Sequence, residues 1–181
     1  GRDSNPDDPG SGGGLVPSVF HGTHVAGTIG ASSNNSSGVA GVDWNCKMMP
    51  IRAMGKGGKG TLDDIANGIL YAAKLSNASG GVPTKRVDVL NMSLGGPGSA
   101  TVMKNACDAA SSAGVLLIAA AGNDNASTVN FPAGYTSVLS VGAVDFAGQR
   151  APYSNFATSI DIWAPGGNSA VDLNGDQFGD G

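Results

Sequence analysis

The chain has 181 residues, 40% of them hydrophobic and 13% charged, which suits one folded domain with a sizeable core and excludes a disordered chain. A net charge of −4 with scattered lysines and arginines argues against a nucleic-acid surface. The longest apolar run, Val115–Ala121, is too short to span a bilayer.

Thirty glycines, about double the usual share of roughly 7%, follow no G-X-Y repeat and point to tight turns and close backbone approaches. The chain opens at Gly1 and stops at Gly181 inside an acidic, glycine-rich stretch, so the expectation is an interior piece of a longer protein. Residues 1–19 read as a Gly/Pro/Asp loop. A helix is expected from near His21 to about Ala31, followed by a polar turn at Ser32–Gly38. Cys46–Met54 is apolar enough for a buried strand, weakened in its middle by Pro50, which has no N–H. The loop Gly55–Gly60 (GKGGKG) lacks the Gly-Lys-Ser/Thr ending of a phosphate loop, which argues against nucleotide binding.

Thr61 predicts a helix start, with Asp64 three residues on and Ile65, Ile69, Leu70 and Ala73 on one face. Val87–Ser93 reads as a short buried strand, and Ser99–Ala113 as a helix ended by Gly114. Val115–Gly122 is a continuous apolar strand, as expected where both faces of a sheet are covered. Val138–Val144 and Ile160–Gly166 complete the set of strands. Strands alternating with helices predict an α/β domain with a mostly parallel sheet, whose ligands sit beyond the carboxyl ends of the strands. "SLGG" follows one such strand and "GND" another.

The only two histidines, His21 and His24, lie at i and i+3, so a shared metal is geometrically allowed. The glutamate and the i, i+4 spacing of zinc proteases are absent, and no third ligand suggests itself. For an anonymous pair, two satisfied core histidines are the default. Cys46 and Cys107 fit no zinc spacing; a mutual disulfide in an exported protein and two buried thiols both remain open.

The residues around the histidines change that default. His21-Gly22-Thr23-His24-Val25-Ala26-Gly27-Thr28 resembles the histidine motif of the subtilisin-like serine proteases, the subtilase family. Asn91-Met92-Ser93-Leu94-Gly95-Gly96 is similar to that family's substrate-binding strand, and Ala119-Ala120-Ala121-Gly122-Asn123 to its oxyanion segment. Weaker agreement runs through Phe131–Tyr135 and Val141–Val144 to Ala164-Pro165-Gly166. The resemblance implies a three-layer subtilisin-like α/β fold with a mostly parallel sheet flanked by helices, incomplete at both ends. Residues 1–181 would form a single domain, the central part of a peptidase domain.

It further implies a secreted serine endopeptidase, monomeric when full length, acting on protein or peptide substrates, with no nucleic-acid or membrane partner. His21 would be the general base, His24 a structural partner of the helix, and Asn123 the donor to the oxyanion. Ser93, Leu94 and Gly95 would bind an extended substrate as an added strand. Ala120, Ala121 and Gly122 would wall a roomy, apolar-tolerant specificity pocket.

The chain also departs from the family. The triad runs Asp, His, Ser in sequence, its aspartate in a D-[ST]-G turn after an apolar strand and its serine in G-T-S-M-A. Neither motif is present: Asp3-Ser4 has no strand before it, and Ser93, Ser154 and Ser169 are poor nucleophile candidates. The aspartate is therefore expected before residue 1 and the serine after residue 181, and the isolated chain is expected to fold poorly and to be inactive. The alternative is a non-catalytic subtilase-like binding or scaffold domain, against which an intact His21 and Asn123 weigh. Structural calcium is the expected cofactor. Asp172, Asn174, Asp176 and Asp180 alternate as an oxygen-ligand loop begins, and a solvated acidic loop stays open as the other reading. Asp3, Asp7 and Asp8 resemble an acidic insertion of some secreted bacterial subtilases, and Asn35 falls where the family places a tight calcium loop.

Overall fold

The computed structural model describes residues 20–55, 58–172 and 175. In chain order the elements are α1 (His21–Gly30), α2 (Leu62–Ala72), β1 (Val89–Met92), α3 (Thr101–Ser112), β2 (Leu116–Ala120), β3 (Val138–Val144) and β4 (Ile162–Pro165). The four strands form one parallel sheet in the order β1-β2-β3-β4, as the α/β reading expects.

Local chemistry sets the helices where the sequence places them. Thr61 Oγ1 accepts from the Asp64 N–H (3.1 Å) and donates to Asp64 Oδ2 (2.7 Å), a reciprocal cap on α2. α2 then buries Ile65, Ala66, Ile69 and Ala72 against Met103, Ala106, Cys107 and Ala110 of α3. The alanines on this seam let the two helices approach closely. α3 ends at Gly114, whose φ of 84° is the left-handed cap the sequence predicts. Below the helices lie Met92, Leu117, Ala119 and Val138, the inward residues of three strands.

Alternation of strands and helices holds only from β1 through α3 to β2. The β2–β3 and β3–β4 crossovers are loops, 121–137 and 145–161, pinned by their own side chains. The Tyr135 hydroxyl accepts from the Ala100 N–H and donates to the Ala100 carbonyl, both 3.0 Å, which ties the first loop to the start of α3. Ser137 Oγ donates to Asp108 (2.7 Å), which also pairs with Lys104 on the exposed side of α3.

Two expectations need correction. Cys46–Met54 is not a strand: no strand among the described residues lies beside it, and Pro50 removes a donor. It instead lays Ile51 and Ala53 over Gly68 of α2. Val115–Gly122 is covered on one face only among the described residues. Leu117 and Ala119 point to the helices, while Leu116 and its register partner Val89 are each about half exposed on the other side. Cys46 and Cys107 are separate free thiols. Burial pushes the Cys107 thiol up to about 12, so it is an inert core residue.

Candidate active site

Parallel pairing brings two of the three motif segments to the same carboxyl edge. The β1–β2 register ends at Met92 beside Ala119, so Ser93–Gly95 and Ala120–Gly122 leave the sheet as neighbours. Gly96 and Phe131 exchange both backbone bonds, N–H to O at 3.0 and 2.9 Å, which holds the segment after β1 against the 121–137 loop. Leu94 packs on the core, Gly95 is exposed, and Ser93 Oγ accepts from Asn91 Nδ2 (2.9 Å). On the other wall, Ala120 is exposed and Ala121 buried, its N–H bonded to the Val141 carbonyl at 2.8 Å.

The turn after Ala121 is fixed by residues that sequence reasoning missed. Gly122 has φ 119°, and a Cβ there would lie 2.2 Å from Asn155 Nδ2 and 2.6 Å from Asn130 Nδ2. Asn155 is fully buried and every polar atom of its amide is bonded. Its Nδ2 donates to the Ala121 carbonyl (3.1 Å) and toward Asp124 Oδ2 (3.5 Å). Its Oδ1 accepts from the Asp124 N–H (2.8 Å) and the Ala126 N–H (3.1 Å).

The backbones zip alongside: Asn155 N–H to the Gly122 carbonyl (3.0 Å), Asn125 N–H to Tyr153 (2.9 Å), Phe156 N–H to Ala126 (2.8 Å). Asn130 Nδ2 adds a bond to Asp124 Oδ2 (3.0 Å). Arg150 closes the outer end, donating to Asn125 Oδ1 (2.8 Å) and the Ser154 carbonyl (2.7 Å) while stacking over Phe156. Asn123 at the centre of this frame is exposed, and its side chain has no hydrogen-bond partner among the described residues.

His21 is the first residue of α1, after Phe20 in a left-handed conformation (φ 51°). The His24 N–H bonds back to the Phe20 carbonyl at 2.9 Å and fixes the first turn. Both histidines are exposed, so neither is a packed core residue. α1 buries no side chain; it is held through the carbonyls of Thr28, Ile29 and Ala31, which accept from Val42, Asp43 and Gly41. No hydrogen bond joins α1 to the sheet among the described residues.

Ser154 is buried and already used, accepting from the Ala143 N–H and donating to the Asn155 carbonyl, both at 3.0 Å; it is a core cross-link, unsuited to attack a substrate. Ser169 is exposed. Of the calcium candidates, Asn35 Oδ1 accepts from the Ser37 N–H (3.0 Å) and Asp172 Oδ1 from the Gly175 N–H (2.6 Å). Asp3, Asp7, Asp8, Asn174, Asp176 and Asp180 lie outside the described residues. No group of three or more His, Cys, Asp or Glu is gathered among the described residues.

A parallel sheet whose first two strands end in a small-residue wall and a pinned Gly-Asn turn, with a His-Gly-Thr-His helix, is the arrangement of a subtilase. The profile of the subtilase family (Peptidase_S8) matches residues 2–180, and the chain belongs to that family. It is 45% identical to an extracellular protease of Xanthomonas campestris pv. campestris, over 96% of this chain and 32% of the relative. It is 42% identical to subtilisin amylosacchariticus of Bacillus subtilis subsp. amylosacchariticus, over 88% of this chain and 40% of the relative. Among solved structures it superposes on a protease of Pseudoalteromonas arctica PAMC 21717 with TM-score 0.81 and 45% identity, covering 85% of this chain and 46% of that one. The chain thus spans a third to two-fifths of the length of these curated relatives.

Proposed function

We propose that the full-length protein is a secreted serine endopeptidase that hydrolyses peptide bonds through an Asp/His/Ser triad. His21 takes the proton of the attacking serine hydroxyl and returns it to the leaving amine. The serine and the aspartate that orients His21 belong to the remainder of the protein. The substrate lies extended beside Ser93–Gly95 as an added strand, where backbone groups recognise it with little regard to sequence. Ala120, Ala121 and Gly122, all small, leave room beside them for an apolar side chain.

The observation that carries this reading is Asn123. Among the described residues, its amide is the one polar side chain of the 121–126 turn left unbonded, on a backbone clamped from both sides, which is what a preorganised oxyanion donor requires. Export is supported by the relative described as an extracellular protease. Calcium enters as a structural ion only; an unchanged melting temperature of the full-length protein in excess chelator would remove it. The decisive test is labelling of the full-length protein by a serine-directed fluorophosphonate, with hydrolysis of a peptide anilide measured in parallel. Both are expected in the wild type and lost in His21→Ala. Labelling that survives His21→Ala unchanged would overturn the assignment of the base.

A further inference from the structure

Asn155 comes from the β3–β4 loop, yet its contacts converge on one point of the β2–β3 loop. Two peptide groups flank the Asn123 Cα, and both are bonded to Asn155. The Gly122 carbonyl, on the near side, accepts the Asn155 N–H at 3.0 Å. The Asp124 N–H, on the far side, donates to Asn155 Oδ1 at 2.8 Å. With both planes fixed, neither φ nor ψ of residue 123 is free to rotate, because each torsion turns one of those planes. The Ala121 carbonyl and Ala126 N–H extend the same grip one residue before Gly122 and two after Asp124.

We propose that Asn155 is a positioning residue for the oxyanion donor: it sets the direction of the Asn123 amide without touching substrate. This rests on the endopeptidase reading above, and it adds a role for a residue that the motifs do not mark. A donor aimed at developing charge acts through its placement, and a displacement of about 1 Å costs on the order of 100-fold in rate. Complete burial of Asn155 matters for the same reason. Water has no access to exchange with its four bonds, so the aim of Asn123 is held at little reorganisation cost.

The test uses the full-length enzyme and a peptide anilide. Asn155→Ala is expected to lower kcat by about 10–100-fold while KM stays within about threefold. In an Asn123→Ala background the same change is expected to add less than about threefold, since there is no donor left to aim. Thr61→Ala, a change at the cap of α2, serves as the control for general destabilisation and is expected to leave kcat unchanged. If Asn155→Ala does not fold, Asn155→Ser, which keeps a small hydroxyl in the site, is measured in its place with and without Asn123. A kcat unaffected by the substitution at Asn155 would overturn the proposal, as would an equal loss with and without Asn123. An inactive wild type would instead overturn the endopeptidase reading.

Discussion

Gly122 and Asn155 are matched so closely that a single carbon added to one would overlap the other, with 2.2 Å between that Cβ and Asn155 Nδ2. The φ of 119° at Gly122 is also one that side-chain-bearing residues avoid. Gly122→Ala is therefore expected to destabilise the full-length protein by about 2–4 kcal/mol and to displace the turn. Thermal or denaturant unfolding of the variant checks it; a change under about 0.5 kcal/mol would show that the turn relaxes freely.

Removing the Asn123 amide should act on rate and spare folding. Its side chain makes no bond among the described residues, so Asn123→Ala leaves no partner unsatisfied. The expected loss is about 10²–10³ in kcat, a magnitude taken from subtilisin's oxyanion asparagine. The melting temperature should stay within a degree or two of wild type.

Acid should weaken the join between β3 and the segment entering β4. Asp161 accepts from the Ser140 backbone N–H (2.7 Å) and hydroxyl (2.8 Å), and these bonds hold its carboxyl below the ordinary 3.8. A carboxylate with a lower value in the fold than in the unfolded chain contributes its full stabilisation above that ordinary value. The contribution disappears as pH falls through the native value. Asp161→Asn should therefore flatten the decline in stability below about pH 4, compared by melting curves across pH 2–7. An unaltered profile would assign the decline to other carboxylates, Asp108 among them, whose bonds from Lys104 and Ser137 lower it in the same sense.

The cap on α2 gives a smaller effect. Thr61→Ala removes the acceptor of the Asp64 N–H and is expected to cost about 1 kcal/mol, read as a lower melting temperature with unchanged kcat.

What sequence made legible follows the range of the interactions involved. Thr61, Gly114 and the β3 limits at Val138 and Val144 depend on neighbours a few residues away, and they appear where propensity and periodicity put them. Ser93–Gly95, Ala120–Gly122, Asn123 and His21 stand out as candidates because they lie in contiguous motifs. Asn155 was not: an asparagine after serine in a loop looks like any turn residue. Its meaning comes from partners up to 34 positions away. Cys46–Met54 failed in the opposite way, since apolar composition signals burial but a strand also needs a neighbour to bond.

The sheet's two helix-free crossovers impose an order on assembly. The turn at residues 121–126 emerges before the residue that locks it, which belongs to the next crossover, 31 positions beyond Asp124. Until β3 is laid down and the chain doubles back, that turn has only local bonds, and its peptide groups remain free to face water. Completion of the site thus waits on the more distant closure, with its greater entropic cost. Any change that slows docking of the 145–161 loop should then lengthen the interval before the turn of a newly made molecule is locked, even if the finished product is identical.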